Sequence, residues 1–230
     1  MRPVNKGSDL GTFNPWSKAQ QPLKSALGSY CSYCERWVCS AIHVEHKLPR
    51  DDYPGRKYRW TNFLLSCSNC NSSKSSGKLA LKDYLWPDYD NTLLAFRYDN
   101  EGRVIVNAEL PSKVKEKAVN TWRLLGLNRH ADLTVLGMET PTIKDDRWIH
   151  RKQEWAYALE KKDDLSISDT HPRREMIARE ALRRGMFSIW MAVFSDHPKM
   201  RQLLIDNFTG TSRDCFDRLA NPIRRQGGQI

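Results

Sequence analysis

The sequence predicts an α+β protein in two parts, a small core held by paired cysteines and a mostly helical second half. Two Cys-x-x-Cys pairs within the first third of the chain indicate a compact stapled core. The β-rich runs 92–98 and 103–106 border the turn sequence Asp99-Asn100-Glu101-Gly102, which is typical of a β-hairpin. From Pro111 onward, apolar residues recur at helical spacing.

We expect three regions: a lead-in over residues 1–29, a core over 30–110, and a helical domain over 111–230 as a candidate region for docking a partner. In the lead-in, Asn14-Pro15-Trp16 indicates a turn with an aromatic anchor before a short helix. Helices are predicted over 113–125, 144–162 and 201–207, with another that begins after Thr170 and continues through Val193. The tail 226–230 is expected to be loose.

Composition favours a polyanionic ligand. Lys and Arg number 37 against 27 Asp and Glu, a formal net charge of +10, and a basic balance of this kind suits nucleic acid. The excess is concentrated between residues 47 and 82, and we expect Lys47, Arg50 and Lys74 to contact nucleic acid. The chain has no long apolar run and no signal-peptide core at its start, so we expect a cytoplasmic protein with no membrane partner.

The two cysteine pairs predict a structural zinc site. Cys31, Cys34, Cys67 and Cys70 have the spacing of paired zinc knuckles, and four thiolates leave zinc no open coordination position. A redox Cys-x-x-Cys motif is the competing interpretation, but it would account for one pair only. Cys39 and Cys215 are expected to be ordinary buried residues.

The residues between and beside the knuckles suit metal-dependent hydrolysis of a phosphodiester. His46 titrates near neutral pH and is the candidate general base. Glu45 is a hard oxygen ligand suited to Mg²⁺ or Mn²⁺, and the amide oxygen of Asn71 completes the protein contacts of that metal. Asn62 is expected to hold the loop and orient the His46 ring. His43 is an alternative metal ligand.

Glu45 and His46 are neighbours, and in a regular strand their side chains would point to opposite faces. They can share a site only at a strand end or in a loop. Pro49 follows shortly and supports a strand that ends near His46. We therefore expect the candidate site at the end of the first strand.

This combination resembles the HNH endonucleases. The resemblance implies a ββα-metal fold, with His46 as general base, Asn62 as the central asparagine, Asn71 as the final metal-binding residue and Glu45 as the preceding acidic ligand. It also implies that the four paired cysteines bind structural zinc. This sequence has Asn71 where the family pattern has histidine, a common variant.

A narrower resemblance covers about residues 30–106. The strings Tyr30-Cys31-Ser32-Tyr33-Cys34-Glu35, Trp60-Thr61-Asn62-Phe63 and Cys70-Asn71-Ser72-Ser73-Lys74, with Trp86-Pro87-Asp88, look like the HNH subunit of Septu-type antiphage systems, the PtuB group. The resemblance implies a defence nuclease that acts with an ABC/SMC-like ATPase partner of the PtuA type, as in some retron systems.

These observations predict a metal-dependent HNH endonuclease, with DNA as the favoured substrate. The alternatives are a zinc-knuckle module that binds nucleic acid or protein without cleavage, and an HNH effector that cleaves RNA or tRNA. The helical half leaves two interpretations of its arginines open, a solvated face of an amphipathic helix or a surface for docking or nucleic acid. The arginines concerned are Arg173, Arg174, Arg179, Arg183 and Arg184.

Overall fold

The computed structural model describes residues 1–74 and 78–230. Its strands are β1 His43–His46, β2 Phe63–Ser66, β3 Phe96–Tyr98 and β4 Val104–Val106. Its α-helices are α1 Gln20–Leu27, α2 Ser68–Ser73, α3 Ser112–Leu124, α4 Arg147–Ile167, α5 His171–Arg184, α6 Phe187–Val193 and α7 Pro198–Asn207. The architecture is the predicted α+β type, with two small antiparallel sheets and a helical C-terminal region. The polar segment 72–78, for which the sequence predicts a helix end or loop that closes the core, lies partly outside the described residues.

The first sheet and α2 form a ββα unit. Strands β1 and β2 are antiparallel, and His46 at the end of β1 pairs with Phe63 at the start of β2. All four residues of β2 are buried, because α1 covers this sheet. Cys67 follows β2, and α2 begins at the next residue. Helix α2 packs against β1. This order places the ends of β1 and α2 beside each other.

Residues 1–29 are part of the first hydrophobic cluster. Met1, Val4, Leu23 and Leu27 are fully buried there, together with residues of β2. Burial of such side chains stabilises a fold by about 1.5–3 kcal/mol each. The lead-in segment is therefore packed against the ββα unit, while the predicted division at residues 29 and 110 stays a prediction.

The helical half has a second hydrophobic cluster. It includes Phe187 and Trp190 of α6 and Phe194, the residue that follows α6. Helix α6 packs on α4 and α7, and α5 also packs on α7. The predicted hairpin is confirmed as β3–β4, and it contacts α6 and α3. In the described residues, no helix is both long and apolar enough to cross a membrane.

Two predictions for the last third of the chain are wrong. The helix expected to continue through Val193 ends at Arg184, because Gly185 has φ +80° and Met186 has φ +57°. The tail expected to be loose is fixed: the Ile230 carbonyl accepts a hydrogen bond from the Asn91 backbone at 3.0 Å. The second predicted helix begins at Arg147 and ends at Ile167, so its predicted bounds are also displaced.

Gly185, in the helical half, pairs with Arg36 of the core, and its close packing there generates a testable prediction. A Cβ atom at this position would lie 2.5 Å from the Glu35 carbonyl oxygen and 2.6 Å from the Trp37 nitrogen. Its backbone conformation is also one that side chains rarely adopt. We expect Gly185→Ala to lower the free energy of unfolding by about 2 kcal/mol or more, measured by urea denaturation. Gly55→Ala is the control, since nothing lies within 4 Å of a Cβ there. Equal stability of the two variants would contradict the prediction.

Candidate active site

Four buried cysteines form a cluster at the base of the ββα unit. The sulfur atoms of Cys31, Cys34, Cys67 and Cys70 all lie within 4.8 Å of one another. A tetrahedral zinc site with Zn–S bonds near 2.3 Å requires S–S separations of about 3.8 Å, and the Cys34 and Cys67 sulfurs are 3.6 Å apart. The donor set therefore fits zinc. Because both pairs converge on one point, a redox role for a single pair is disfavoured.

The two remaining cysteines differ from each other. Cys215 is buried, as predicted, whereas Cys39 is exposed, so that prediction is wrong. Cys39 lies in the turn after the first knuckle, where the chain runs over the surface before β1.

Arg147, the first residue of α4, supports the cysteine cluster and was missed by the sequence analysis. Its side chain is 1% exposed, and it donates to the Cys70 sulfur at 3.1 Å and to the Leu125 and Gly126 carbonyls at 2.8 Å each. Asp145 accepts two further hydrogen bonds from the guanidinium, at 2.7 and 2.6 Å. A buried charge requires such complete pairing. Helix α4 therefore begins on the candidate zinc site.

An open cleft of about 460 Å³ lies between the end of β1 and α2. Besides the zinc ligands, seven site residues were predicted, and the cleft brings five of them together with the alternative ligand His43. The five are Glu45, His46, Arg50, Asn71 and Lys74. His46 is the last residue of β1, so Glu45 and His46 line the same cleft despite being neighbours. This is the strand-end arrangement that the sequence analysis required.

The His46 ring is held in one orientation. It is 9% exposed, and its Nε2 atom lies 2.9 Å from the Lys57 carbonyl oxygen. Since a carbonyl only accepts, Nε2 must carry the proton, which leaves Nδ1 as an acceptor. Burial lowers the pKa of His46, and the Arg50 and Lys74 charges act in the same direction against the opposing hydrogen bond to Lys57. The imidazole is therefore neutral near pH 7 and able to take a proton.

Glu45 presents a buried oxygen. The residue is 4% exposed, and burial raises its pKa while the Lys74 ammonium lowers it. That ammonium lies 2.8 Å from Oε1, and the two side chains, which are 4% and 5% exposed, form a buried ion pair. Lys74 also donates to the His46 carbonyl. The Glu45 carboxylate thus already binds one cationic group, and it would bind a divalent metal that took the place of the ammonium.

Asn62 lies outside the cleft, and its side chain holds the loop between β1 and β2 by hydrogen bonds. Its side chain accepts from the Leu48 nitrogen at 2.8 Å and donates to the Leu48 carbonyl at 3.0 Å and the Arg56 carbonyl at 3.2 Å. The residue after Arg56 is Lys57, whose carbonyl holds the His46 ring. Asn62 therefore orients His46 through the loop and does not contact it directly.

The structure does not bring Lys47 to the cleft. Its ammonium lies 2.6 Å from Asp88, which Lys6 also contacts at 3.0 Å, and the three side chains are nearly inaccessible. Burial alone would raise the pKa of Asp88, but the two ammonium groups bring it below its ordinary value. Lys47 therefore ties the end of β1 to the Trp86-Pro87-Asp88 segment instead of facing solvent.

Trp16 lines the cleft, although the sequence did not assign it to the site, and Lys57 lies beside its ring. The Arg50 guanidinium lies 4.7 Å and the Lys57 ammonium 5.5 Å from the centre of the Trp16 ring. The His46 ring packs edge-on against Trp16 at 5.7 Å. The turn sequence around Trp16 predicted an aromatic anchor. The residues that Trp16 contacts are distant in the chain, so no local sequence pattern identifies them.

Comparison with known proteins identifies the domain. Residues 30–77 match the family model described as HNH endonuclease. Septu protein PtuB of Bacillus thuringiensis is 33% identical over 79 residues, which cover 32% of this chain and 31% of that protein. The match thus spans about a third of the relative's length, and it falls short of covering the helical half.

The cysteine cluster generates a second prediction. We expect Cys67→Ser to lose bound zinc and to unfold the ββα unit, because structural zinc contributes about 10–16 kcal/mol in small zinc domains. Loss of helical circular dichroism should follow, since Arg147 of α4 contacts Cys70. Zinc content by mass spectrometry and thermal unfolding provide the measurement. Cys39→Ser, at an exposed cysteine outside the cluster, should retain the metal. Normal zinc content in Cys67→Ser would contradict a four-cysteine site.

Proposed function

On the premise that residues 30–77 form an HNH endonuclease domain, we propose that this protein is a metal-dependent nuclease that hydrolyses phosphodiester bonds. We further propose that it serves antiphage defence together with an ABC/SMC-like ATPase. One observation carries the chemistry: Glu45, His46 and Asn71 line one cleft beside the four-cysteine cluster.

His46 acts as the general base in this proposal. Its Nδ1 atom accepts the proton of a water molecule, while Nε2 stays bonded to the Lys57 carbonyl and keeps the ring in place. The oxygen of that water then attacks the phosphorus atom, the P–O bond to the departing sugar oxygen breaks, and that oxygen takes a proton from solvent. General-base assistance of this kind is worth about 10²–10⁴ in rate.

Glu45 and Asn71 would hold Mg²⁺ or Mn²⁺. Glu45 supplies a carboxylate that is ion-paired with Lys74 in the structure and would exchange that ammonium for the metal. Asn71 supplies an exposed amide on α2 in the same cleft. Two protein ligands suit a cation that retains its waters. When bound, the cation neutralises charge that develops on the phosphate.

The substrate is a nucleic acid, with DNA favoured. Arg50 is exposed at the cleft rim, and Lys57 lies beside the same Trp16 ring, so the cleft entrance carries positive charge for the phosphate backbone. The chemistry addresses the phosphate, and RNA therefore stays the second substrate to be tested. Of the three predicted contacts, Arg50 retains this role in the proposal, whereas the Lys74 ammonium is buried between Glu45 and the His46 carbonyl.

The ATPase partner is proposed from the likeness to a protein named for the Septu system. The helical half offers surface for such a partner, since α4 and α5 expose the apolar side chains of Ile167 and Met176. The partner would position or license the nuclease.

Cleavage by His46→Ala and His43→Ala tests the proposed chemistry. Both histidines belong to β1 and line the cleft, so they form a matched pair. Plasmid DNA and total RNA are incubated with Mg²⁺ or Mn²⁺ and with chelator, with and without an ATPase encoded beside the protein. We expect wild type and His43→Ala to cut in the presence of metal, and His46→Ala to cut about 100-fold more slowly or not at all.

The outcomes separate the candidate functions. Absence of cleavage with the partner present, or equal cleavage by His46→Ala, would favour the zinc-knuckle binding module. Loss of cleavage in both histidine variants would indicate that His43 is also a metal ligand. The substrate that is consumed decides between DNA and RNA.

A further inference from the structure

Trp37 is an exposed aromatic side chain on a firmly held backbone. It is 46% exposed and lies just after the first knuckle, where it pairs with Tyr30. Its neighbour Arg36 pairs with Gly185 between α5 and α6, and the Met186 nitrogen donates to the Glu35 carbonyl at 2.9 Å. The backbone beside Trp37 is thus bound on both sides. A fixed indole that faces solvent is preorganised for a ligand.

A basic cleft of about 390 Å³ adjoins Trp37. Among the charged residues that line it are three arginines and one glutamate, namely Arg36, Arg183, Arg184 and Glu154. Arg184 is paired with Glu154 at 2.9 Å and Arg36 with Asp146 at 2.9 Å. Arg183 is exposed and makes no ion pair within residues 1–74 and 78–230. Its guanidinium is therefore available to an anion.

Arg183 differs in this respect from the other arginines of its helix. Arg174 pairs with Asp169, and Arg179 with Glu175. Arg173 donates to the Asp164 carbonyl at 3.0 Å. Four of the five arginines in the basic stretch thus have partners in the helical half, and the free one faces the cleft beside Trp37.

The surface continues from Trp37 to the active-site cleft. A smaller cleft of about 260 Å³ on the other side of Trp37 is lined by Cys67, Ser68 and Asn69. The Ser68 hydroxyl lies 3.1 Å from His43 Nε2. Asn71, about 5 Å further along α2, already lines the active-site cleft. An extended ligand could therefore run from His46 past α2 to Trp37.

We propose that Trp37 and Arg183 form an accessory site for single-stranded nucleic acid, where a base stacks on the indole and a phosphate binds the guanidinium. Stacking requires a base that has left its duplex, which points to a single strand. Arginine suits phosphate because its planar fork donates two parallel hydrogen bonds. The inference rests on the proposed function in one respect, that the strand continues into the active-site cleft.

Binding to a chain that carries His46→Ala tests this site without cleavage. Fluorescence anisotropy compares one labelled 20-nucleotide sequence as single-stranded DNA, as RNA and as duplex DNA, at two salt concentrations. No divalent cation is added, and chelator is left out because it would remove the structural zinc. We expect Trp37→Ala to weaken single-strand binding about tenfold, since stacking of one base on an aromatic ring is worth about that much. Arg183→Glu should weaken binding and reduce its salt dependence, while duplex binding changes less.

Two substitutions serve as matched controls. Tyr89→Ala removes an aromatic side chain that is 53% exposed, and Arg218→Glu reverses an exposed arginine outside the clefts beside Trp37. Both should bind like the His46→Ala parent.

Equal affinity of the test and control variants would overturn the proposal, as would single-strand binding too weak to measure at low salt. Loss of ATPase binding alone in Trp37→Ala and Arg183→Glu would identify a protein interface and also overturn it. Failure of the proposed nuclease would appear separately, as wild-type protein that binds nucleic acid without cutting it.

Discussion

The four-cysteine cluster, with the Arg147 guanidinium against it, is the contact on which the other parts of the structure depend. It joins the first knuckle, the turn between β2 and α2, and the start of α4. Zinc in such a site contributes about 10–16 kcal/mol, which equals or exceeds the net stability of about 5–15 kcal/mol that a typical domain has. The short strands and the six-residue α2 could not hold this geometry by their own hydrogen bonds, because isolated helices of that length are unstable.

The candidate site follows from this arrangement. Because α2 begins directly after Cys67 and packs against β1, Asn71, the residue that follows Cys70, lines the cleft at the end of β1. The β1–β2 register places His46 opposite Phe63, whose ring packs edge-on against the imidazole at 5.0 Å. Asn62 then closes the intervening loop and so fixes the carbonyl that orients His46. The cysteine cluster and the candidate chemistry are thus separate sites, and a few residues of backbone connect them.

The local features could be predicted from sequence. The Cys-x-x-Cys spacing defines a metal cluster on chemical grounds alone, and Pro49 was sufficient to indicate that β1 ends near His46. The hairpin over 96–106 was predictable because alternating β-rich runs and a turn sequence are adjacent in the chain.

The long-range features could not be predicted in this way. Arg147 contacts Cys70 from 77 positions away, and Lys47 is withdrawn from the cleft by Asp88, 41 positions along the chain. Neither pairing leaves a local pattern. The break at Gly185 is also long-range in origin, because the backbone of Glu35 and Trp37 occupies the space that a side chain would need. A prediction from helical periodicity alone therefore extended α5 beyond its observed end at Arg184.

The most direct test of the account is the position of Mn²⁺ in crystals of the His46→Ala protein, located from its anomalous scattering. The account predicts manganese between Glu45 and Asn71, and zinc at the four cysteines as a separate peak. Manganese bound elsewhere, or a cleft without manganese at millimolar concentration, would contradict the assignment of this cleft as a metal-dependent nuclease site.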